Sequence, residues 1–360
     1  MKPDDPRLSN LHDIRKNIDA VDAQILRLLN LRFEYALQTR RFKAQGEDPE
    51  REEAVLRTAR RRAGRLAGPE FAARIYEAIL GESKALQKKD LKLAGFQGEP
   101  GAYSEAAVEA WNPAWVPVAC REFGEVFEGV RQGRLDYGVI PVENSLEGPV
   151  TAANEMLIET DLSIVGGVRL PIHHCLLARP ETDYREIRAV YSHPMALAQC
   201  RGFLARNGLE PRMVYDTAGA ARKVAEDLSR TAAAIADERC AELYDLEILK
   251  ADIEDHPSNA TRFVVLAREP EEGDGDKCSI VFAVPDKAGA LISLLKIFAE
   301  ADINLTRIES RPLRKTPGQI AFLLDFQGSP RDGTVAAVLE NVNRHSAMSR
   351  FLGCYKEIRP

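Results

Sequence analysis

Through the first ninety residues the apolar positions recur at three- and four-residue spacing. Leu11, Ile14, Ile18, Val21, Ile25, Leu28 and Leu29 set the pattern, which marks one face of a helix. Asp13 to Gln45 contains neither Pro nor Gly, so one very long helix is predicted there. Gly46 stands where a helix C-terminus favours it. Asp48-Pro49 can open a second helix, with Asp as cap and Pro in the first turn. Gly68-Pro69 separates it from a third, running from about Glu70 to Lys88. Three such helices cannot cover the outer half of the first, so an interlocked dimer is predicted.

The texture changes near Asp90-Leu91. Short apolar runs then alternate with helical patterns: Leu93 to Phe96, Tyr137 to Pro141, Leu162 to Gly166, Ala189 to Tyr191, Ala232 to Ala236 and Phe263 to Leu266. This is α/β alternation, of a length that suits two small lobes with a cleft between them. A hydrophilic segment, Arg268 to Lys277, marks a boundary. Beyond it the pattern reads strand Ser279 to Val284, helix Ala290 to Ala301 and strand Ile303 to Glu309. Strand Gln319 to Phe326, helix Thr334 to Asn343 and strand Met348 to Cys354 complete it. That β-α-β-β-α-β order is ferredoxin-like. The predicted domains are 1–90, 91–270 and 271–360.

Composition narrows the classes. With 45% hydrophobic and 29% charged residues, the chain is globular and long enough for roughly two to three domains. No apolar run reaches a membrane-spanning length, and the N-terminus lacks the apolar core of a signal peptide. Six scattered cysteines without a CxxC pair suit free thiols in a reducing cytoplasm. A net charge of -6 gives no reason to expect nucleic acid. The arginine-rich first ninety residues favour an anionic small molecule, although solvated helix faces explain much of that charge.

Arg15, Arg32 and Lys43 lie on the first helix. Arg32 and Lys43 differ by only about 20° in direction and share a face. Arg15 points about 100° away from Arg32, toward a different site, which in an antiparallel dimer belongs to the partner chain. Asp48, Arg51 and Glu52 cluster on the second helix, and Ser83 and Gln87 stand one turn apart on the third. Cations, a carboxylic acid and an amide make a receptor for a dicarboxylate with an ether oxygen. The set resembles the all-helical chorismate mutases. The resemblance implies that arginines clamp the two carboxylates, Lys43 and Gln87 donate to the breaking ether oxygen, and Glu52 binds the ring hydroxyl. The alternatives are ordinary surface residues, or a mutase fold kept for dimerisation alone.

Asn259-Ala260-Thr261-Arg262-Phe263 places a hydroxyl, a cation and a ring before the apolar run Val264 to Leu266. With Tyr137 to Ser145 it resembles prephenate dehydratase. So do Gly95 to Ser104, Glu143 to Gly148, and Tyr191-Ser192-His193-Pro194 to Gln199-Cys200. Ile235-Ala236 with Ala241 to Leu246 resembles lobe-packing structure. The glycines of the first loop could hold a carboxylate on backbone N–H groups. The resemblance assigns function to Asn144, Gln199 and Thr261. The Thr261 hydroxyl would donate to the departing oxygen or relay a proton from a better acid. Asn144, Gln199 and Ser145 would orient substrate. Arg262 would pair with a carboxylate or brace the site, with Phe263 beside it. Met195 stands where the resemblance implies a polar amide in many relatives. His193, His173 and His174 read as structural, His174 opening a strand. No metal-ligand spacing occurs, so neither metal nor cofactor is expected.

Gly289-Ala290-Leu291 opens a helix, and Glu309-Ser310-Arg311-Pro312 closes a strand. Both match the ACT domain of phenylalanine-regulated dehydratases. The resemblance implies side-by-side pairing and allosteric inhibition by L-phenylalanine; a ligand-free dimerisation domain is the alternative. The full expectation is multidomain. It combines an all-α chorismate mutase domain, a two-lobed, periplasmic-binding-protein-like α/β dehydratase domain and an α+β ACT domain. The chain would be cytoplasmic, a homodimer or higher oligomer, handling chorismate, prephenate and L-phenylalanine without nucleic acid or membrane. A dehydratase lacking mutase activity, a solute receptor and an arogenate-specific enzyme are the rivals.

Overall fold

The structure, a computed structural model, describes residues 6–42, 48–227, 230–271, 275–285, 287–313 and 319–360. Side chains are described for these except 6–10, 12, 13 and 16. The chain forms two compact units, Met1–Leu91 and Lys92–Pro360.

The first unit is helical. Helix α1 spans Pro6–Thr39 and runs into a 3-10 turn, Arg40–Phe42; α2 spans Pro49–Arg62 and α3 Pro69–Lys88. Helix α1 starts before Asp13, at a proline whose missing N–H is no loss in a first turn. The expected stop at Gly46 lies outside the described residues. Asp48 caps α2 by accepting the Arg51 N–H at 3.0 Å, with Pro49 in the first turn. Helix α3 packs against both α2 and α1. Near its C-terminal end α1 is covered, and Leu37 is buried. Ile14, Ile18, Val21, Ile25 and Leu28 remain about half exposed or more, between 49% and 61%.

The second unit begins with β1 (Leu93–Gln97), α4 (Tyr103–Trp111), β2 (Val116–Cys120), α5 (Phe123–Arg131) and β3 (Tyr137–Asn144). A short β4 (Gly148–Pro149), α6 (Thr151–Glu159) and β5 (Ser163–Pro171) follow. The chain then crosses into a second lobe: β6 (Cys175–Ala178), β7 (Ala189–Ser192), α7 (Pro194–Gln199), α8 (Arg201–Arg206) and β8 (Glu210–Met213). That lobe ends with α9 (Thr217–Glu226), β9 (Ala232–Ala236), α10 (Arg239–Tyr244) and β10 (Glu247–Lys250). Strand β11 (Ala260–Ala267) returns to the first lobe between β5 and β3, antiparallel to both. Phe96, Val139 and Val265 of the first lobe share one core with Leu177, Ala234 and Cys240 of the second.

The C-terminal part comprises β12 (Lys277–Pro285), α11 (Ala290–Glu300), β13 (Leu305–Pro312), β14 (Gln319–Gln327), α12 (Gly333–His345) and β15 (Met348–Tyr355). Its sheet order, β13-β14-β12-β15, is that of a ferredoxin-like domain. Its core includes Phe282, Phe298 and Phe326. Two residues more, β16 (Glu357–Ile358), pair in parallel with β5 and so join the first lobe's sheet. Contact there is close: a Cβ on Gly353 would lie 2.1 Å from the Ile164 carbonyl oxygen, so only glycine fits.

Candidate active sites

In the helical unit, the Arg32 guanidinium donates to Ser83 Oγ at 2.7 Å, and that hydroxyl donates to the Ile79 carbonyl at 2.8 Å. Burial pulls the Arg32 pKa below its ordinary value, partly offset by Tyr76. Gln87 donates its amide hydrogens to the Ala36 carbonyl and, at 3.2 Å, to Thr39 Oγ1. Arg32, Ser83 and Gln87 therefore lie along one seam between α1 and α3. Glu52 pairs with Lys84 at 3.1 Å. Lys84, between the two α3 candidates, drew no notice in the sequence. Asp48 Oδ1 serves as the α2 cap, and Arg51 is exposed. Arg15 is exposed and stands about 25 Å from Arg32 at 1.5 Å rise per residue, so this seam does not include it. Lys43 lies outside the described residues.

In the second unit, the strands crossing between lobes assemble a hydrogen-bonded chain. Thr261 and Asn144 face each other across β11 and β3. Asn144 Nδ2 lies 3.0 Å from Thr261 Oγ1, 2.9 Å from Asn259 Oδ1 and 3.3 Å from the Ala260 carbonyl. Asn144 Oδ1 accepts the Leu146 and Glu147 N–H groups, each at 3.0 Å, which fixes the amide's orientation. Ser145 Oγ accepts the Ala260 N–H at 3.0 Å, a role that pins strand to loop. Gln199 Oε1 meets Asn259 Nδ2 at 3.1 Å and His174 Nε2 at 2.8 Å. His174 Nδ1 in turn meets the Tyr103 hydroxyl at 2.9 Å. Burial lowers the His174 pKa, so the ring is neutral near pH 7 and its Nε2–H can donate to Gln199. Gln199 Nε2 is buried and has no partner among the described residues. The structure thus joins Asn144, Gln199 and Thr261, and adds Asn259, His174 and Tyr103.

The Gly95–Ser104 loop differs from expectation. Glu105 Oε2 accepts the Gly101 N–H at 2.5 Å, so a side chain of α4 already occupies that donor. Glu99 reaches across to Tyr215 at 2.8 Å and Arg222 at 3.0 Å. His193 caps α7 by accepting the Met195 N–H at 3.2 Å; Met195 is 37% exposed. Among the described residues one group could hold a metal ion: His173, Asp252 and Glu254. His173 is remote in sequence from the two carboxylates, which is why spacing gave no hint. The 2.8 Å hydrogen bond between His173 Nδ1 and Glu254 Oε1 accounts for the grouping without an ion.

Of the two roles expected for Arg262, bracing fits the structure and pairing with a substrate carboxylate does not; Phe263 likewise turns into the core instead of the site. Successive strand residues face opposite sides, so Arg262 turns away from Thr261. It is 2% exposed. Its guanidinium contacts Glu357 at 2.6 Å, Asp325 at 2.5 Å and the Tyr355 hydroxyl at 2.7 Å. All three of its nitrogens are thus engaged within a buried cluster, which does not place it to clamp a substrate carboxylate. Phe263 is a core residue. Desolvation works against charge on Asp325, but Arg262 and Arg307 outweigh it and hold its carboxyl below the usual range. Glu357 is likewise lowered against its burial, by Lys277 and Arg262. Depressed carboxyl pKa values give stability that is complete above about pH 4, the unfolded value, and lost as pH falls through the folded values. Thermal unfolding of the second unit is therefore expected to shift downward below about pH 4, and less so in Asp325→Asn; calorimetry across pH 3–7 checks this.

In the C-terminal sheet, Gly289 caps α11 in the left-handed region at φ 83°, with Ala290 and Leu291 half-buried behind it. Glu309, Ser310 and Arg311 lie on β13, an edge strand. Arg311 Nη2 donates to Thr151 Oγ1 at 3.1 Å and lies 3.9 Å from Glu309.

Three family models match along the chain: chorismate mutase type II over 14–88, prephenate dehydratase over 94–271 and ACT domain over 279–344. A bifunctional chorismate mutase/prephenate dehydratase of Neisseria gonorrhoeae is 36% identical over 95% of each chain. An arogenate dehydratase/prephenate dehydratase of Arabidopsis thaliana is 41% identical over 72% of this chain and 71% of its own. Among solved structures, the prephenate dehydratase of Arthrobacter aurescens in complex with L-Phe is 34% identical. It has a TM-score of 0.68, covering 73% of this chain and 89% of that one. GqqA, described as a quorum quenching acylase, is 35% identical with a TM-score of 0.69, covering 74% of this chain and 98% of that one. Helical unit, two-lobed unit and ferredoxin-like sheet occur in the order of the full-length relatives, and the chain belongs to the bifunctional chorismate mutase/prephenate dehydratases, enzymes of phenylalanine biosynthesis.

Proposed function

We propose that the two reactions run at the two clusters described above and that the C-terminal sheet senses L-phenylalanine. At the helical seam, Arg32 and, from the partner chain, Arg15 hold the carboxylates of chorismate, with Arg51 alongside. Lys43 and Gln87 donate to the ether oxygen, while Asp48, Glu52 and Ser83 shape the pocket. The rearrangement needs no proton transfer, so positioning and charge stabilisation suffice. Rotation of Gln87 away from α1 would free its amide for substrate.

At the lobe crossing, prephenate loses its ring carboxylate as CO2 while the C4 hydroxyl leaves and takes up a proton to become water. The observation that carries this reading is the contact from Asn144 Nδ2 to Thr261 Oγ1. An oxygen that accepts from Asn144 keeps its own proton to donate to the departing hydroxyl. Gln199 Nε2, buried and without a partner among the described residues, supplies a second donor. The neutral His174 and Asn259 hold that amide in register.

The functional parts are 1–90, 91–270 and 271–360, in a cytoplasmic homodimer. The half-exposed stripe Ile14, Ile18, Val21, Ile25 and Leu28 is covered by the partner's α1, and β13 edges pair to place Gly289 and Glu309 around the amino acid. Sedimentation is expected to give a dimeric mass for the full chain. Ile18→Asp with Ile25→Asp removes about 3 kcal/mol of apolar burial and should raise the dimer Kd about a hundredfold. An unchanged Kd would refute that interface.

A time course with chorismate as sole substrate, with and without L-phenylalanine, tests the whole. Prephenate should appear first, phenylpyruvate next, with the second suppressed by phenylalanine. Untouched chorismate would reduce the helical unit to a scaffold. Binding of prephenate without turnover would favour the receptor reading, and turnover of arogenate alone would move the substrate.

A further inference from the structure

Arg262 follows Thr261 on β11 but belongs to a different neighbourhood. Its partner Asp325 sits on β14, is 1% exposed and also accepts from Ser279 Oγ at 2.5 Å. A second arginine, Arg307 of β13, approaches Asp325 Oδ2, the oxygen that Arg262 holds, at 3.6 Å. Arg307 Nη2 then reaches Asn154 Oδ1 at 2.7 Å and lies 3.5 Å from the Val142 carbonyl. Asn154 also donates to that carbonyl, at 3.1 Å. Val142 lies two residues before Asn144 on β3, and Arg307 two residues before Glu309 on β13. One carboxylate thus links the strands that carry Thr261 and Asn144 to the strand that carries Glu309.

We propose that Arg262, clamped by Asp325, Glu357 and Tyr355, is a positioning residue for Thr261, and that the Arg262–Asp325–Arg307 triad couples β13 to the dehydratase site. The proposal rests on Thr261 as the donor to the leaving hydroxyl. A planar guanidinium reaches three acceptors at fixed angles, whereas an ammonium cannot. With the fork gone, β11 keeps its ladder but loses the contact that fixes its entrance, where Thr261 stands. An error of an ångström there is enough to slow the reaction.

The test is Arg262→Lys in the full chain, with thermal unfolding of the second unit as the control for folding there and mutase turnover as the control for the helical unit. The expected result is a kcat for prephenate roughly tenfold to a hundredfold lower, with KM and mutase turnover within about twofold. The Lys variant should still bind L-phenylalanine calorimetrically yet be inhibited by it less than the parent. A lower melting temperature with unchanged kcat would reduce Arg262 to a structural residue and overturn the proposal. A raised KM at unchanged kcat would overturn it too, since that is the mark of substrate contact. Tyr355→Phe, which removes a single hydroxyl from the clamp, keeps the claim testable if the Lys variant does not fold. It should lower kcat severalfold at constant KM, and an unaltered kcat there is equally fatal. If the parent binds no phenylalanine, the sensing reading and the triad's coupling role fall, and the kcat result still decides the positioning claim.

Discussion

Thr261→Ala is expected to lower the turnover of prephenate by a factor of about 10² to 10³, the range seen when one preorganised donor is removed from a developing negative oxygen. The dehydration step has few other sources of help. Aromatisation supplies the driving force, and the chain contributes donors at the oxygen that leaves. Among the joined residues, Thr261 alone carries a hydroxyl whose acceptor role is already filled by an amide, from Asn144. Stability should change little. Asn144 Nδ2 keeps Asn259 and the Ala260 carbonyl as acceptors, so the lost hydrogen bond is worth about 1 kcal/mol. Thr261→Ser, which retains the hydroxyl, should recover most of the rate. Steady-state assays with prephenate, run beside calorimetry and chorismate turnover, separate the effects. A loss under about fivefold would be too small for a donor to the reacting oxygen and would move the chemistry elsewhere.

Arg32→Ala is expected to abolish mutase turnover, by a factor of about 10³ if one charge-assisted clamp on a carboxylate is lost from a water-poor site. It should leave dehydration of added prephenate unchanged, because the two clusters belong to separate compact units. Folding of the helical unit should survive. Ser83 keeps its bond to the Ile79 carbonyl, and Gln87 still ties α3 to α1. Arg32→Lys would restore charge without the fork and should regain only part of the rate. Lys43→Ala is expected to act in the same direction. Chorismate consumption near the parent rate in Arg32→Ala would remove this residue from the site.

Local patterns in the sequence identified the elements whose signal is local. The three- and four-residue spacing found α1, and Asp48-Pro49 found the cap of α2, because helix contacts lie within a turn. The ferredoxin-like order was legible from alternating strand and helix patterns. Strands β4 and β16, two residues each, carry no period to read. The partners of Thr261 divide in the same way. Asn144 and Gln199 came from motifs. Asn259 and Tyr103 lie inside motif segments that give them no role, and His174 reads as the start of a strand. Their meeting depends on how the strands between the lobes cross, which spacing cannot encode. Arg262 is instructive in the other direction. Period-two alternation on β11 separates it from Thr261, but proximity in sequence suggested a shared site.

The two-residue strand β16 bears on how freely this enzyme's parts could be exchanged. Glu357 closes the Arg262 clamp and lies in the sheet beside β5, so the catalytic lobe ends inside what would otherwise pass for a separate sensor. A graft that replaced everything after the hydrophilic segment Arg268 to Lys277 with a foreign ACT domain would leave β5 with an open edge and Arg262 with a buried charge and no acceptor. Recombination at that linker should therefore give inactive, poorly soluble chimaeras unless Asp325, Tyr355 and Glu357 travel with Arg262. Lineages that swapped sensors would have had to swap this arginine's surroundings in the same event.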